Sequence, residues 1–208
     1  NRSAQVALSV DLGGGKSIRQ TLEFFYDQYI FNMNVELNGL EQVVDGYAYV
    51  INMNSGLRST ESDVAEEMTY AQAYAMTRDE IESYDVGDER HEVNDDFQGW
   101  TVNWGAVRNK YFTTALIPQS SGSGIKFIGS TLPDQDEVAH KHYAMELAMP
   151  YNRRATSDSF QLYYGPLKYS ILTSYDIGLE NMMDFGPGWA LVIRPLGKFV
   201  LWVLTTLY

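Results

Sequence analysis

Residues 29–37 read Tyr-Ile-Phe-Asn-Met-Asn-Val-Glu-Leu, and this stretch decides the fold class. Tyr29, Phe31, Met33, Val35 and Leu37 alternate with Ile30, Asn32, Asn34 and Glu36. A period of two sends successive side chains to opposite faces, so the segment reads as a β-strand with one core face and one mostly polar face. The pattern recurs in both directions. Upstream, Val6, Leu8, Val10 and Leu12 alternate with Ala7, Ser9 and Asp11, which predicts a half-buried strand. Gly13, Gly14 and Gly15 make its turn, and Ile18, Leu22 and Phe24 resume on a returning strand. Downstream, the same period links Tyr47, Tyr49, Ile51 and Met53, then Tyr70, Tyr74 and Met76, then Tyr143, Met145, Leu147 and Met149. Seven or more such runs, joined by Gly, Asn, Asp and Ser turns, predict a mainly β chain built as an antiparallel β-sandwich.

With 208 residues, 45% of them hydrophobic and 20% charged, the chain can bury a core without covalent staples. It has no cysteine, which excludes disulfides and thiolate metal sites. A net charge of −12 argues against nucleic acid as a partner, because phosphate contacts need clustered Lys and Arg. The charge is uneven. Residues 61–96 hold 13 acidic residues against Arg78 and Arg90, and the stretch 87–96 reads as a solvated acidic loop, since the ordered spacing of a calcium loop is missing. Residues 189–208 hold no acid, and 15 of these 20 are apolar. There Arg194, Lys198 and Thr205 fall on one stripe of a helix, opposite an apolar face. Tyr169, Leu172, Tyr175 and Leu179 predict a short connector helix before it. The chain opens on Asn1 and Arg2 without a targeting pattern, and is expected to be a piece of something longer.

Catalytic motifs do not assemble. Gly15, Lys16 and Ser17 resemble the end of a phosphate-binding loop, but Val10 stands where its first glycine belongs and a strand follows where a helix is needed. His140 and His142 share a strand face at i and i+2, without a third ligand nearby. No serine sits in a nucleophile elbow, and no carboxylate pair is marked by spacing. The residues therefore point to no catalytic site, no metal and no cofactor. An exposed tyrosine row on a sandwich also suits a sugar.

Trp104, Gly105, Ala106, Val107, Arg108, Asn109, Lys110, Tyr111 and Phe112, followed by Ile117 and Pro118, closely resemble the W-x-A-V-K-N-K-Y-F … I-P signature of the periplasmic domain of bacterial YidC membrane insertases. Tyr163, Tyr164, Gly165 and Pro166, then Asp184, Phe185, Gly186 and Trp189, resemble the Y-x-G-P strand end and D-[YF]-G-W junction of that family. Residues 17–37 are similar, more loosely, to a strand pair of that family. The departures are Arg108 in place of the usual Lys, and Pro187 and Gly188 inserted before Trp189.

The resemblance implies an antiparallel β-supersandwich over residues 1–185 and an amphipathic membrane-interface helix over residues 186–208, on the periplasmic side of the cell inner membrane. It implies a non-enzymatic part in inserting and folding membrane proteins. The implied partners are the lipid surface, nascent membrane proteins and the Sec translocon. The alternative is a mutarotase-like or carbohydrate-binding supersandwich, with His140 or His142 and Glu146 as its acid-base pair. Since the family's domain has strands upstream of Asn1, the strand at residues 6–12 or a neighbour is expected at an open sheet edge. Alternation puts Val107, Asn109 and Tyr111 on one face and Arg108, Lys110 and Phe112 on the other. Tyr111 and Phe112 are expected to be core, with a docking surface carried by Arg108 and Lys110 as the rival reading. In the last helix, Trp189, Leu191, Val192, Leu196, Phe199, Trp202, Val203 and Leu207 are expected to meet lipid while Arg194 and Lys198 face the headgroups. The rival there is a helix folded back on the core.

Overall fold

The computed structural model describes residues 2–44, 48–54, 57, 59, 63–78, 80–87, 92–133, 139–151, 157–183 and 194–207, with backbone alone at 92–97, 132–133, 139–140 and 194–198. It divides into two compact units, Asn1–Leu167 and Lys168–Tyr208.

Among the described residues of the first unit, eleven strands pair antiparallel: β1 Ser3–Gly13, β2 Lys16–Phe25, β3 Ile30–Asn38, β4 Ala48–Met53, β5 Gln72–Thr77, β6 Glu80–Tyr84, β7 Glu92–Arg108, β8 Phe112–Pro118, β9 Gly122–Pro133, β10 Ala139–Pro150 and β11 Ser157–Pro166. A five-residue helix, α1 (Val64–Met68), precedes β5. Strand β7 belongs to two layers. Its C-terminal part pairs with β5 on one side and β8 on the other, whereas residues 92–98 pair with β9. The ladder shifts register between Gln98 and Val102, where Gly99 adopts φ +78°. A bulge at a glycine bends a strand without steric cost, and here it carries β7 from one layer into the other. One layer thus runs β1-β2-β3-β11-β8-β7-β5-β6 and the other β7-β9-β10-β4.

The layers meet face to face, as the alternation predicts. Tyr143, Met145, Leu147 and Met149 of β10 are buried, and Met33, Val35 and Leu37 of β3 join the same core. Tyr84 of β6 stacks on Phe127 of β9 at 6.1 Å between centroids and meets Tyr143 edge-on at 6.1 Å. Gly105 of β7 lets Ile125 and Met145 fill this space, because a Cβ there would lie 2.3 Å from Ile125 Cδ1 and 2.9 Å from Met145 Sδ and would force both side chains to shift.

A polar node also ties the layers. Lys141 Nζ of β10 donates to Asp85 Oδ1 at 2.8 Å. The Tyr143 hydroxyl accepts from the Val86 N–H at 3.2 Å and lies within donating distance of the Ala71 carbonyl (3.0 Å) and Asp85 (3.3 Å). Partial burial works to raise the Asp85 carboxyl. The hydrogen bonds from Lys141 and the Gly87 N–H, the Lys141 charge and the Gln72 side chain outweigh it, holding Asp85 below its ordinary 3.8. A folded-state value below the unfolded one gives stability that is present above the unfolded value and lost as pH falls through the folded one. Asp85→Asn is therefore expected to flatten the decline of the thermal midpoint as pH falls below about 4. Melting curves across that range check it, and an unchanged slope refutes it.

Two sequence expectations are corrected. Residues 92–98 are strand paired with β9, not a solvated loop, while 88–91 lie outside the described residues. Strand β1 is present with its predicted turn but is exposed along all 11 residues, not half-buried. Among the described residues it pairs only with β2, at the end of its layer, which is the expected edge position. Val6, Leu8, Val10 and Leu12 are left in solvent beside an unpaired backbone. Such an edge is a template for another strand. The 208-residue chain is expected to self-associate with rising concentration in sedimentation velocity, and Leu8→Lys to suppress it. Identical monomeric profiles for both at all concentrations would refute this.

The second unit begins with α2 (Tyr169–Leu172) and two 3₁₀ turns, Thr173–Tyr175 and Leu179–Met182, which form the predicted connector. Leu172, Leu179 and Met182 are buried. It ends with α3 (Arg194–Leu207).

Candidate functional site

The two motifs of the resemblance lie about fifty residues apart, and the sheet brings them side by side. Strand β7 ends at Arg108 and β8 starts at Phe112, so alternation stops at Asn109 and the chain turns. Asn109 holds that turn. Its Oδ1 accepts from the N–H groups of Tyr111 (3.0 Å) and Phe112 (2.7 Å), and its own N–H donates to the Phe112 carbonyl at 2.9 Å. Its Nδ2 donates to Glu67 Oε1 at 2.6 Å. Glu67, on α1, is fully buried and also accepts from Ser59 Oγ at 2.5 Å. One asparagine thus closes a hairpin and tethers a helix by a buried carboxylate.

From the other side, Pro166 and Gly165 stand opposite Phe112 and Thr113. Leu167 N–H donates to the Tyr111 carbonyl at 2.6 Å, and the Tyr163 hydroxyl donates to the Pro166 carbonyl at 2.7 Å. Tyr164 N–H donates to the Tyr29 carbonyl at 2.9 Å, which joins the β2–β3 turn to the same corner. Gly165 allows the approach, since a Cβ there would lie 2.8 Å from both Tyr29 Cβ and the Tyr163 hydroxyl. No periodicity in the sequence signals this meeting of motifs. The available hint is that each motif closes an alternating run with a residue that stops it, Asn109 in one and Gly165-Pro166 in the other.

Placement of the motif side chains corrects both readings of the hairpin. Trp104, Val107 and Pro118 are buried, as core residues should be. Tyr111 and Phe112 are 38% and 40% exposed, so they are not core. Arg108 is buried, with its guanidinium 5.2 Å from the Tyr74 ring centroid. Lys110 Nζ pairs with Glu66 at 3.0 Å and sits over the rings of Tyr70 and Tyr111, at 5.8 and 5.3 Å. Neither cation is held out as a docking charge. The turn replaces the strand that alternation extended through them, and so exchanges which side chains are inside.

Of the mutarotase-like candidates, His142 is exposed on the outer face of β10, and the His140 side chain lies outside the described residues. Glu146, on the same face as His142, engages Lys126 Nζ at 3.8 Å and Asn52 Nδ2 at 3.4 Å across neighbouring strands. Among the described residues no three His, Asp or Glu side chains are grouped to hold a metal.

Helix α3 contains Arg194, Leu196, Lys198, Phe199, Trp202, Val203 and Leu207; Asp184, Gly186, Trp189, Leu191 and Val192 lie outside the described residues. Pro195 stands in its first turn, where the missing N–H costs no helical bond. At helical spacing Leu196, Phe199, Val203 and Leu207 share one side, and Arg194, Lys198 and Thr205 the opposite side. Phe199, Trp202, Leu204 and Leu207 are exposed. No helix among the described residues is long and apolar enough to cross a membrane.

The class of protein is a two-layer antiparallel sandwich with a tied corner, followed in sequence by a short amphipathic helix on which Phe199, Trp202, Leu204 and Leu207 are exposed. The comparisons give its family. The profile for the YidC periplasmic domain matches residues 1–202, and the chain belongs to that family. It is 30% identical over 196 residues to the membrane protein insertase YidC of Chlorobaculum tepidum, covering 94% of this chain and 32% of the relative. To the same-named protein of Pelodictyon phaeoclathratiforme it is 30% identical over 199 residues, covering 96% and 33%. For Chlorobium luteolum the figures are 31% over 191 residues, 89% and 32%. The chain spans about a third of the length of these curated relatives. Family membership places it on the periplasmic side of the inner membrane.

Proposed function

We propose that this chain is the periplasmic scaffold of a membrane protein insertase, without catalytic chemistry of its own. In this reading residues 1–185 form the scaffold and residues 186–208 attach it to the lipid surface. Its partners are nascent membrane proteins and the Sec translocon. The observation that supports the reading is that a family-matched sandwich is followed by a short amphipathic helix on which Phe199, Trp202, Leu204 and Leu207 are exposed. A soluble sugar-binding module has no use for such a helix, whereas a protein working at a bilayer does. The test uses the longer protein, with insertion of a single-span substrate followed in inverted vesicles. Replacing Phe199 and Val203 by Asp is expected to slow insertion, and substitution of His142 or Glu146 by Ala to leave it unchanged. Insertion at the parent rate with both aspartates present overturns the attachment reading.

A further inference from the structure

The exposed aromatic side chains of the first unit are not scattered. Eight are exposed among its described residues, and six belong to the turns and strand ends at the Asn109 corner: Tyr26, Tyr29, Tyr70, Tyr111, Phe112 and Tyr164. Phe24 lies just inside the same end on β2, and only Trp100, on β7, lies away from it. Tyr26, at 79%, is the most exposed of them. The hydrogen bonds already described fix their neighbourhood. The β2–β3 turn is bound to β11 through Tyr29 and Tyr164, and β11 is bound to the β7–β8 turn through Leu167 and Tyr111. Tyr70 and Tyr111 share the Lys110 ammonium between their rings.

We propose that this aromatic rim is a lipid-contact surface, seating the end of the sheet in the headgroup region of a bilayer. Three observations select lipid as the occupant. Five of the six residues are tyrosine, whose apolar ring and polar tip match the graded polarity of a membrane–water interface. Charge at the rim is balanced, with Arg2 and Lys110 against Asp27 and Glu66, in a chain of net charge −12. An anionic surface meets little net repulsion there. The first unit also ends at this corner, where Leu167 N–H donates to the Tyr111 carbonyl, and the amphipathic α3 follows it in sequence. The inference goes beyond the attachment by α3 and fails or stands separately from it.

The absence of cysteine makes the test direct. Tyr26→Cys, Leu204→Cys and Ser120→Cys in the full chain each carry an environment-sensitive dye; Ser120 is exposed and follows the opposite end of β8. The probe is a vesicle of phosphatidylethanolamine and phosphatidylglycerol, with nitroxide at headgroup depth. Emission at positions 26 and 204 is expected to shift to the blue and be quenched, and at 120 to stay aqueous. An aqueous signal at 26 with an immersed signal at 204 overturns the rim proposal alone. Immersion at 26 with an aqueous 204 supports the rim and overturns the α3 reading, and two aqueous signals overturn both. A shift at 26 that follows protein concentration without vesicles makes the rim a contact between copies and overturns it as a lipid surface. Independently, joint Tyr29→Ser, Tyr111→Ser and Phe112→Ser are expected to weaken vesicle binding about tenfold or more with the melting transition retained. Unchanged binding refutes the proposal.

Discussion

Asn109→Ala is expected to destabilise the sandwich by about 3 to 5 kcal/mol, in the lower half of the sum for three hydrogen-bonding groups that lose it as partner. The substitution removes the acceptor for two backbone N–H groups and a donor to Glu67, which is fully buried. Each unsatisfied group costs about 1 to 3 kcal/mol, and a carboxylate stands at the upper end. For a chain of this size the thermal midpoint is expected to fall by about 10 °C. Two companion variants separate the parts. Asn109→Asp keeps the acceptor for Tyr111 and Phe112 but sets a second carboxylate against Glu67, so it is expected to remain destabilised, and adding Glu67→Gln to recover part of the loss. Phe112→Ala, in the same motif but with its ring substantially exposed, is expected to cost less than about 1.5 kcal/mol. A midpoint for Asn109→Ala close to that of the parent would show that the turn is held by something else.

That contrast locates where the sequence is legible. In β10, Tyr143, Met145, Leu147 and Met149 alternate cleanly because a strand half covered by a second layer has one dry face, and burial follows the letters. In β1 the letters alternate equally well, yet the strand is exposed on both faces. Alternation reports which face would be buried if something lay against it, not whether anything does. The same limit governs the hairpin. From Trp104 to Arg108 the period of two holds, and at Asn109 a side chain that can satisfy two backbone donors ends the strand, a choice that local pattern does not announce. The bend of β7 at Gly99 and the contact of Gly105 with Ile125 and Met145 depend on the second layer, and their glycines read as ordinary until that layer is present. The motif match was legible because it matches residue types in order. Its physical role was not, since the bonds that define it reach to α1 and β11.

Helix α3 gives the largest expected effect on binding. Its described part, Arg194–Leu207, is about 21 Å long at 1.5 Å per residue, and if residues 189–208 crossed a ~30 Å hydrocarbon core, Arg194 and Lys198 would each cost ~2.5 to 3.5 kcal/mol near the centre of the span. Lying flat removes both penalties. The cations then face the headgroups, and Phe199, Val203 and Leu207 enter the acyl boundary at about 1.5 to 3 kcal/mol for each fully buried side chain. Phe199→Asp together with Val203→Asp is thus expected to weaken vesicle binding by about 3 to 6 kcal/mol, or on the order of 100- to 10,000-fold. Thr205→Asp, on the polar side, is expected to change binding less than about tenfold. Co-sedimentation with anionic vesicles measures both. The Trp202 ring lies 6.1 Å from Phe199 at the flank of the apolar side and is mostly exposed. The part of the lipid-induced emission change that Trp202→Phe removes is expected to be quenched by bromine placed high on the acyl chains, and less by bromine near their ends. Strongest quenching from the midplane would mean that the helix crosses the membrane, and no quenching that it packs on protein; either result ends the interfacial assignment.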